Sequence, residues 1–515
     1  TKADSDAYSS LKLKLQEISR LEGILSLLSW DEAVMLAENS STARGTQRAA
    51  LAGVIYEKKT SAELGNDISR LLKGSSFPRD AAVSAFDRAV LRDAARSYAV
   101  ETKKTKEMAM RIAELEGRGY AAWAHARVAD DWLSFVPVLE EIIALKKEVS
   151  AVTKPGMPLY DGVIDDYDRG LKTERINEVF KALKVGLLPF ISEILSSAAH
   201  KNYTAPAALQ GGPEWDVAKQ KELCREIATA IGFDFTRGRF DESVHPFTEG
   251  PHPSDVRITT RYSTDNWLEG ISGTVHEVGH ALYEQGRNET YNDLPVNKAL
   301  TMGVHESQSL FWERMIFQSM DFWVWATPIF HKHFPHTREC SAEDFYRYVN
   351  RVSQSLIRVD ADELTYPMHI ILRFEIEKDI FADQSAVKLA DLPCRWNQAM
   401  RDVLSVDVPN ARSGVLQDVH WSFGAFGYFP SYTLGAIIAA QLYDSAQRSV
   451  PNFQQCVRTG NFKPVREYLK DNVHQVGSLY DSPDVLIEKV TGRPMDVNVF
   501  LKYLKEKYSQ IYKLK

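Results

Sequence analysis

Apolar residues recur at three- and four-residue steps through most of this chain, and that spacing admits few folds other than packed helices. Between Ala7 and Ser29 the series Leu11, Leu15, Ile18, Leu21, Leu25 and Leu28 marks one face of an amphipathic helix. Comparable stretches cover 43–57, 81–116, 132–152, 176–199, 217–231, 304–322, 342–357, 365–380, 393–403, 434–445 and 497–512. Turn residues such as Lys73-Gly-Ser-Ser and Gln210-Gly-Gly-Pro separate them. One segment differs: Asp255-Val-Arg-Ile-Thr-Thr-Arg-Tyr alternates β-branched and aromatic residues with polar ones, as a strand does. A length of 515 residues alone suggests two to four domains. No repeat, low-complexity run or long Pro/Gly/Ser linker divides the chain, so the expectation is a single unit over 1–515. That unit is mainly α, with two lobes and a very small β-sheet.

Composition narrows the function by exclusion. The net charge of −7 supplies no global attraction for nucleic acid or for an anionic membrane. The N-terminal residues mix charges into their first turns, unlike a signal peptide, and the apolar run from Leu434 to Leu442 is too short to span a bilayer. Cys224, Cys340, Cys394 and Cys456 lie far apart, which suggests neither a disulfide framework nor a zinc knuckle. Reduced thiols and a cytoplasmic location are the simplest expectation.

Against this background, Thr274-Val-His-Glu-Val-Gly-His-Ala281 stands out. Residues four apart share one helix face with Cβ atoms about 5–6 Å apart, so His276 and His280 can aim ring nitrogens at one point. Glu277 is placed to take a proton from an attacking water without ligating a metal itself. The alternative is a solvated helix face, although Gly279 inside the helix costs about 1 kcal/mol relative to Ala and suggests close approach by a neighbour. Val275, Val278 and Leu282 are expected in the core. A catalytic metal needs a third protein ligand. Glu284 lies a turn beyond His280 and points past the metal, so a crossing helix is the better source. His305-Glu-Ser-Gln-Ser309 begins such a helix, with Glu306 as the first choice and His305 the reserve.

With HEVGH and HESQS both present, the sequence resembles the carboxypeptidase Taq family of metallocarboxypeptidases (peptidase family M32). Asp255-Val-Arg-Ile-Thr259 matches its D-x-R-x-T, Ile357-Arg-Val-Asp-Ala-Asp362 its I-R-x-x-A-D, and Gly414-Val-Leu-Gln-Asp-Val-His-Trp421 its G-x-x-Q-D-x-H-W. Leu27-Leu-Ser-Trp-Asp31, with Arg44 and Gln47, looks like the family's opening helices, although the usual Pro after Trp-Asp is missing from Met35-Leu-Ala-Glu38. The resemblance implies a helical body with a deep substrate cleft, related to neurolysin and angiotensin-converting enzyme, and commonly a homodimer. It implies His276, His280 and Glu306 as metal ligands for Zn2+ or Co2+, and Glu277 as general base.

The remaining roles concern a peptide substrate with a free C-terminus. An oxyanion needs donors, and His420, Tyr428 and Tyr432 in the Gly-rich aromatic stretch HWSFGAFGYFPSY are the candidates. Either tyrosine is alternatively part of an aromatic core loop. A terminal carboxylate favours an arginine fork, which singles out Arg358 first and Arg257 second. Each has a structural alternative, Arg358 paired with Asp360 or Asp362 and Arg257 with Asp255. Asp255 and Thr259 are expected to line the cleft, and Gln417 and Asp418 to orient His420. The expected activity is metal-dependent release of single C-terminal residues. The alternatives are a neurolysin-like endo-oligopeptidase and a non-catalytic helical peptide-binding scaffold.

Overall fold

The computed structural model describes residues 2–73, 77, 80, 83–382 and 387–514. Residues 74–76 of the expected Lys73-Gly-Ser-Ser turn lie outside this set, as do the first two residues of the stretch 81–116. Helices dominate, and the described strands form one three-stranded sheet. The 81–116 stretch is two helices, Ala85–Glu101 and Lys106–Ala129. Between them Thr102-Lys-Lys-Thr105 offers no apolar residue, and the Thr105 hydroxyl accepts the Met108 N–H to start the second helix afresh. The stretch 342–357 also ends early, at Val349.

In the sheet, β1 (Gly238–Glu242) runs parallel to β3 (Asp255–Thr260), and β2 (Thr248–His252) pairs antiparallel with β3 on its other side. Only β3 was legible as a strand. β1 (GRFDE) and β2 (TEGPH) are short and carry Gly or Pro in place of apolar alternation. Val256 and Ile258 of β3 are fully buried, in the same apolar cluster as the helix Trp267–Gln285.

The buried apolar residues fall into two clusters. The large one extends from Leu115 to Tyr512. The small one joins Leu11, Ile18, Leu64, Ile68, Leu71 and Val90 of the N-terminal helices to Leu294 and Val296. Helix Pro430–Ser449 runs inside the large cluster, with every residue from Thr433 to Leu442 buried; a helix that is apolar all round is a core helix. Among the described residues, no helix is long and apolar enough to cross a membrane.

Candidate metal centre and substrate site

The helix Trp267–Gln285 carries HEVGH. Its apolar face holds Ile271, Val275, Val278 and Leu282 in the core. Its start is pinned by Trp267, whose ring stacks 4.3 Å from that of Trp215 and whose indole N–H donates to the Leu209 carbonyl at 2.8 Å. A tryptophan buried this way contributes roughly 3–5 kcal/mol relative to Ala. The opposite face turns His276 and His280 toward the helix Met302–Leu310, which supplies Glu306.

Two features bring these helices together. A Cβ at Gly279 would stand 2.6 Å from both the Gln308 carbonyl oxygen and Ser309 Cα, so the crossing depends on the missing side chain. The start of the second helix is fixed by Thr301, which accepts the Val304 N–H at 3.2 Å, and by Asp168. The Asp168 carboxylate accepts from the Gly303 N–H at 2.9 Å and the Ser431 hydroxyl at 2.5 Å, tying this helix to the start of Pro430–Ser449.

One ligand atom from each of His276, His280 and Glu306 falls within 4.8 Å of the other two. His276 Nε2 is 4.0 Å and His280 Nε2 3.5 Å from the Glu306 carboxylate. The opposite ring nitrogens are occupied. His276 Nδ1 donates to Glu313 at 2.7 Å. His305 Nε2 donates to Glu284 at 2.7 Å, which leaves His305 Nδ1 to accept from His280 Nδ1 at 2.6 Å. With both Nδ1 atoms engaged, both Nε2 atoms are left facing one carboxylate. Burial opposes charge at Glu306, but the His280 hydrogen bond and the fields of His276 and His280 hold its pKa down to about 2. Burial likewise opposes charge at His276, yet its bond to Glu313 and the fields of Glu306, Glu313 and Glu277 push its pKa up to about 10. Three carboxylates, Glu306, Glu313 and Glu277, gather around the imidazoles, and two imidazole nitrogens with one carboxylate oxygen suit a divalent transition metal. The residues fit the metal.

Glu277 is buried beside this cluster, and its carboxylate accepts the Thr248 hydroxyl of β2 at 2.6 Å. The sheet thus reaches the centre through Thr248. Asp255, Arg257 and Thr259 are engaged elsewhere. Arg257 forks onto Asp255 with two 2.9 Å bonds and stacks 4.4 Å from the Trp30 ring of the N-terminal helix; Thr259 bonds Ser243 and Phe247. In the same N-terminal region Arg44 bonds both Asp31 and Gln47, linking the three residues singled out there.

A second cluster is centred on Arg358. Its Nε donates to Asp418 at 2.8 Å and its Nη1 to the Tyr366 hydroxyl at 2.7 Å. The fully buried Arg373 donates to the same Asp418 at 2.6 Å and to Gln417 at 2.9 Å. Two guanidinium groups share one carboxylate. Asp360 and Asp362 are not the partners of Arg358: Asp362 instead accepts from the Ser353, Leu364 and Thr365 backbones. Nor do Gln417 and Asp418 orient His420 by direct bonds, because both are taken up by the arginines. His420 Nε2 lies 3.1 Å from the Tyr432 hydroxyl, and its Nδ1 is buried with no partner among the described residues. Burial lowers the His420 pKa to about 4, against the pull of Asp418. Tyr428 packs edge-on to Tyr432 at 5.3 Å. After burial, the charge of Glu306 is among the influences that raise both phenols and Tyr366, so all three lie within its electrostatic reach.

This geometry can be set beside known proteins. The sequence profile of the family described as "Carboxypeptidase Taq (M32) metallopeptidase" matches residues 10–508. The chain belongs to that family. "Thermostable carboxypeptidase 1" of Thermus thermophilus is 36% identical, covering 98% of this chain and 99% of that protein. "Carboxypeptidase 1" of Bacillus subtilis is 34% identical over 97% of each. The crystal structure of an M32 carboxypeptidase from Deinococcus radiodurans R1 has a TM-score of 0.92 at 32% identity, covering 99% of this chain and 100% of that one.

As an M32 metallocarboxypeptidase, the chain carries site residues that its motifs alone do not announce. Glu313, Glu284, Thr248, Tyr366 and Arg373 all bond residues named from the sequence. Only Glu313 left a signal: it follows Glu306 by seven residues, two turns along the same face. Arg314 is buried with its Nη1 unpaired and its guanidinium 5.0 Å from the Tyr366 ring, and nothing in the sequence pattern marks it. His305, the reserve ligand, bonds His280 and Glu284.

Proposed function

We propose that this metallocarboxypeptidase removes single residues from peptides with a free C-terminus, using Zn2+ or Co2+ held by His276, His280 and Glu306. The observation that carries the reading is the pairing pattern: both Nδ1 atoms are tied back, and both Nε2 atoms face Glu306 beside a buried Glu277. When bound, the cation polarises the scissile carbonyl and makes a water acidic near neutral pH. Glu277, oriented by Thr248, takes the proton of the attacking water and passes it to the leaving amine. His420, Tyr428 and Tyr432 supply the donors for the oxyanion, with His420 Nε2 and the Tyr432 hydroxyl coupled at 3.1 Å. Arg358 receives the substrate carboxylate. Asp418 balances only one of the two guanidinium charges beside it, so an anion is favoured there. Asp255, Arg257 and Thr259 support the cleft by fixing β3 to the N-terminal helix rather than by touching the substrate.

A peptide and its C-terminal amide separate this reading from endo-oligopeptidase action. Only the free acid should be shortened, and a strong chelator should abolish the reaction until zinc or cobalt is added back. Equal cleavage of acid and amide would overturn it. The proposal extends to one peptidase unit over 1–515 and to a homodimer, which light scattering of the purified protein checks. It also extends to a cytoplasmic location, supported by four free cysteines.

A further inference from the structure

The loop that carries His420 and Tyr428 closes on a buried group outside the site described above. Glu377, on the helix Tyr366–Ile380, is fully buried. Three donors converge on its carboxylate: the Trp421 indole N–H at 2.8 Å on one oxygen, and the Gly427 N–H at 2.8 Å and the Tyr160 hydroxyl at 2.9 Å on the other. Two of these donors lie inside the segment between His420 and Tyr428. Among the described residues no cation lies within ion-pair distance; Arg373, one turn earlier on the same helix, spends its donors on Asp418, Gln417 and the His369 carbonyl.

Burying a carboxylate without a cation is costly, and neutral donors offset that cost only when all of them point at it. The surrounding chain is built to hold them there. Gly427 has φ of +80°, and a Cβ on it would stand 2.8 Å from the Ile164 nitrogen, so the loop reverses tightly against Leu159–Ile164, the short helix that carries Tyr160.

We propose that Glu377 is a positioning residue for the carboxypeptidase reaction, anchoring the 420–428 loop through Trp421 and Gly427 so that His420 and Tyr428 are held at the cleft. The catalytic consequence rests on the assignment of His420 and Tyr428 given above; the anchoring itself does not. The anchor works as an anion. The Trp421 and Gly427 N–H groups have no lone pair to offer, so a proton on the carboxyl could be shared only with the Tyr160 hydroxyl and would weaken the other two bonds. Burial raises the pKa of Glu377 to about 7, opposed by Gly427, Trp421, Tyr160 and the charge of Arg373. The other titratable group that feels it, Tyr167, stays protonated, as does Tyr160, since burial raises both phenols.

Hydrogen exchange of the metal-loaded enzyme tests this directly, because the Gly427 amide is one of the three donors. After correction for intrinsic base catalysis, peptides covering 420–428 should be at least threefold better protected at pH 8 than at pH 6, while peptides from Trp267–Gln285 should not change. In Glu377→Gln an amide N–H must face one of the donors, so the loop should lose protection at both pH values. Its kcat on an N-blocked dipeptide should fall about tenfold or more, with KM and bound metal changed less than twofold, and Glu377→Asp should recover part of the loss. Unchanged loop protection in Glu377→Gln would overturn the anchor, whereas equal protection of the wild-type loop at pH 6 and pH 8 would overturn only its titration between them. A loosened Glu377→Gln loop with unchanged kcat would support the anchor and overturn the assignment of His420 and Tyr428.

Discussion

Glu277 illustrates how little sequence separates a ligand from a base. It follows His276 directly, yet on a helix that step is a turn of about 100°, which carries its carboxylate off the ligand face and onto Thr248 of the sheet. Replacing it by Gln keeps the shape and removes the basic oxygen. The expected outcome is full metal content, measured by elemental analysis, with kcat lowered by a factor of about 10²–10⁴. A variant with near-normal turnover would contradict the role of Glu277. Glu313 acts on the other side of the same histidine, fixing its tautomer through the 2.7 Å bond to Nδ1. Glu313→Gln should therefore weaken metal binding by about 10- to 100-fold in a chelator competition, with kcat of the metal-saturated enzyme less affected.

At the scale of elements, the site is a crossing of two helices, and the closeness of the crossing is set at Gly279. An alanine there gains up to about 1 kcal/mol of helix propensity but drives a methyl group into the backbone at Gln308 and Ser309. Overpacking against backbone costs about 1–3 kcal/mol, so Gly279→Ala should lower the melting temperature and separate Glu306 from the histidines. Loss of bound metal from the folded variant reads the second effect; retained metal with unchanged stability would show that the crossing tolerates a Cβ.

The same distinction explains what was legible in the sequence. His276 and His280 share one helix, and a four-residue step suffices to align them. Val275, Val278 and Leu282 reveal the buried face through the same period. Where residues meet across elements, spacing is silent. The bonds of His305 to His280, of Thr248 to Glu277 and of Arg373 to Asp418 span distant parts of the chain, and no local pattern encodes them. Asp418 was assigned to His420 because the two are neighbours in sequence, whereas the guanidinium groups of Arg358 and Arg373 compete for it with full charge. The π-wound segment Phe311–Phe317 escaped for a related reason, since its apolar content suits an α-helix equally well.

Over the whole molecule, buried histidines link folding to acidity. Burial, reinforced by Arg373, lowers the pKa of His369 to about 3; burial, reinforced by Arg287, does the same at His474. Unfolded, each titrates near 6.5. A depressed histidine takes up its proton more readily when unfolded, so its contribution is complete above pH 6.5 and is lost as pH falls toward 3. Within that window each costs up to about 1.4 kcal/mol per pH unit. Denaturant unfolding with excess zinc should show stability falling between pH 6.5 and 5, and His474→Gln should flatten the slope. A pH-independent midpoint would argue against neutral burial of these rings.

The uneven pairing of Arg358 and Arg373 with one Asp418 carries the last consequence. On the proposed seating of the substrate carboxylate at Arg358, any ligand that brings a carboxylate fits the same place, and hydrolysis does not consume that group. The freed amino acid keeps it and should compete with substrate. The shortened peptide acquires a new one at the cut and is itself eligible for another round. Successive trimming from one end, slowed as its own waste accumulates, is thus the behaviour that this proposed role of Arg358 predicts.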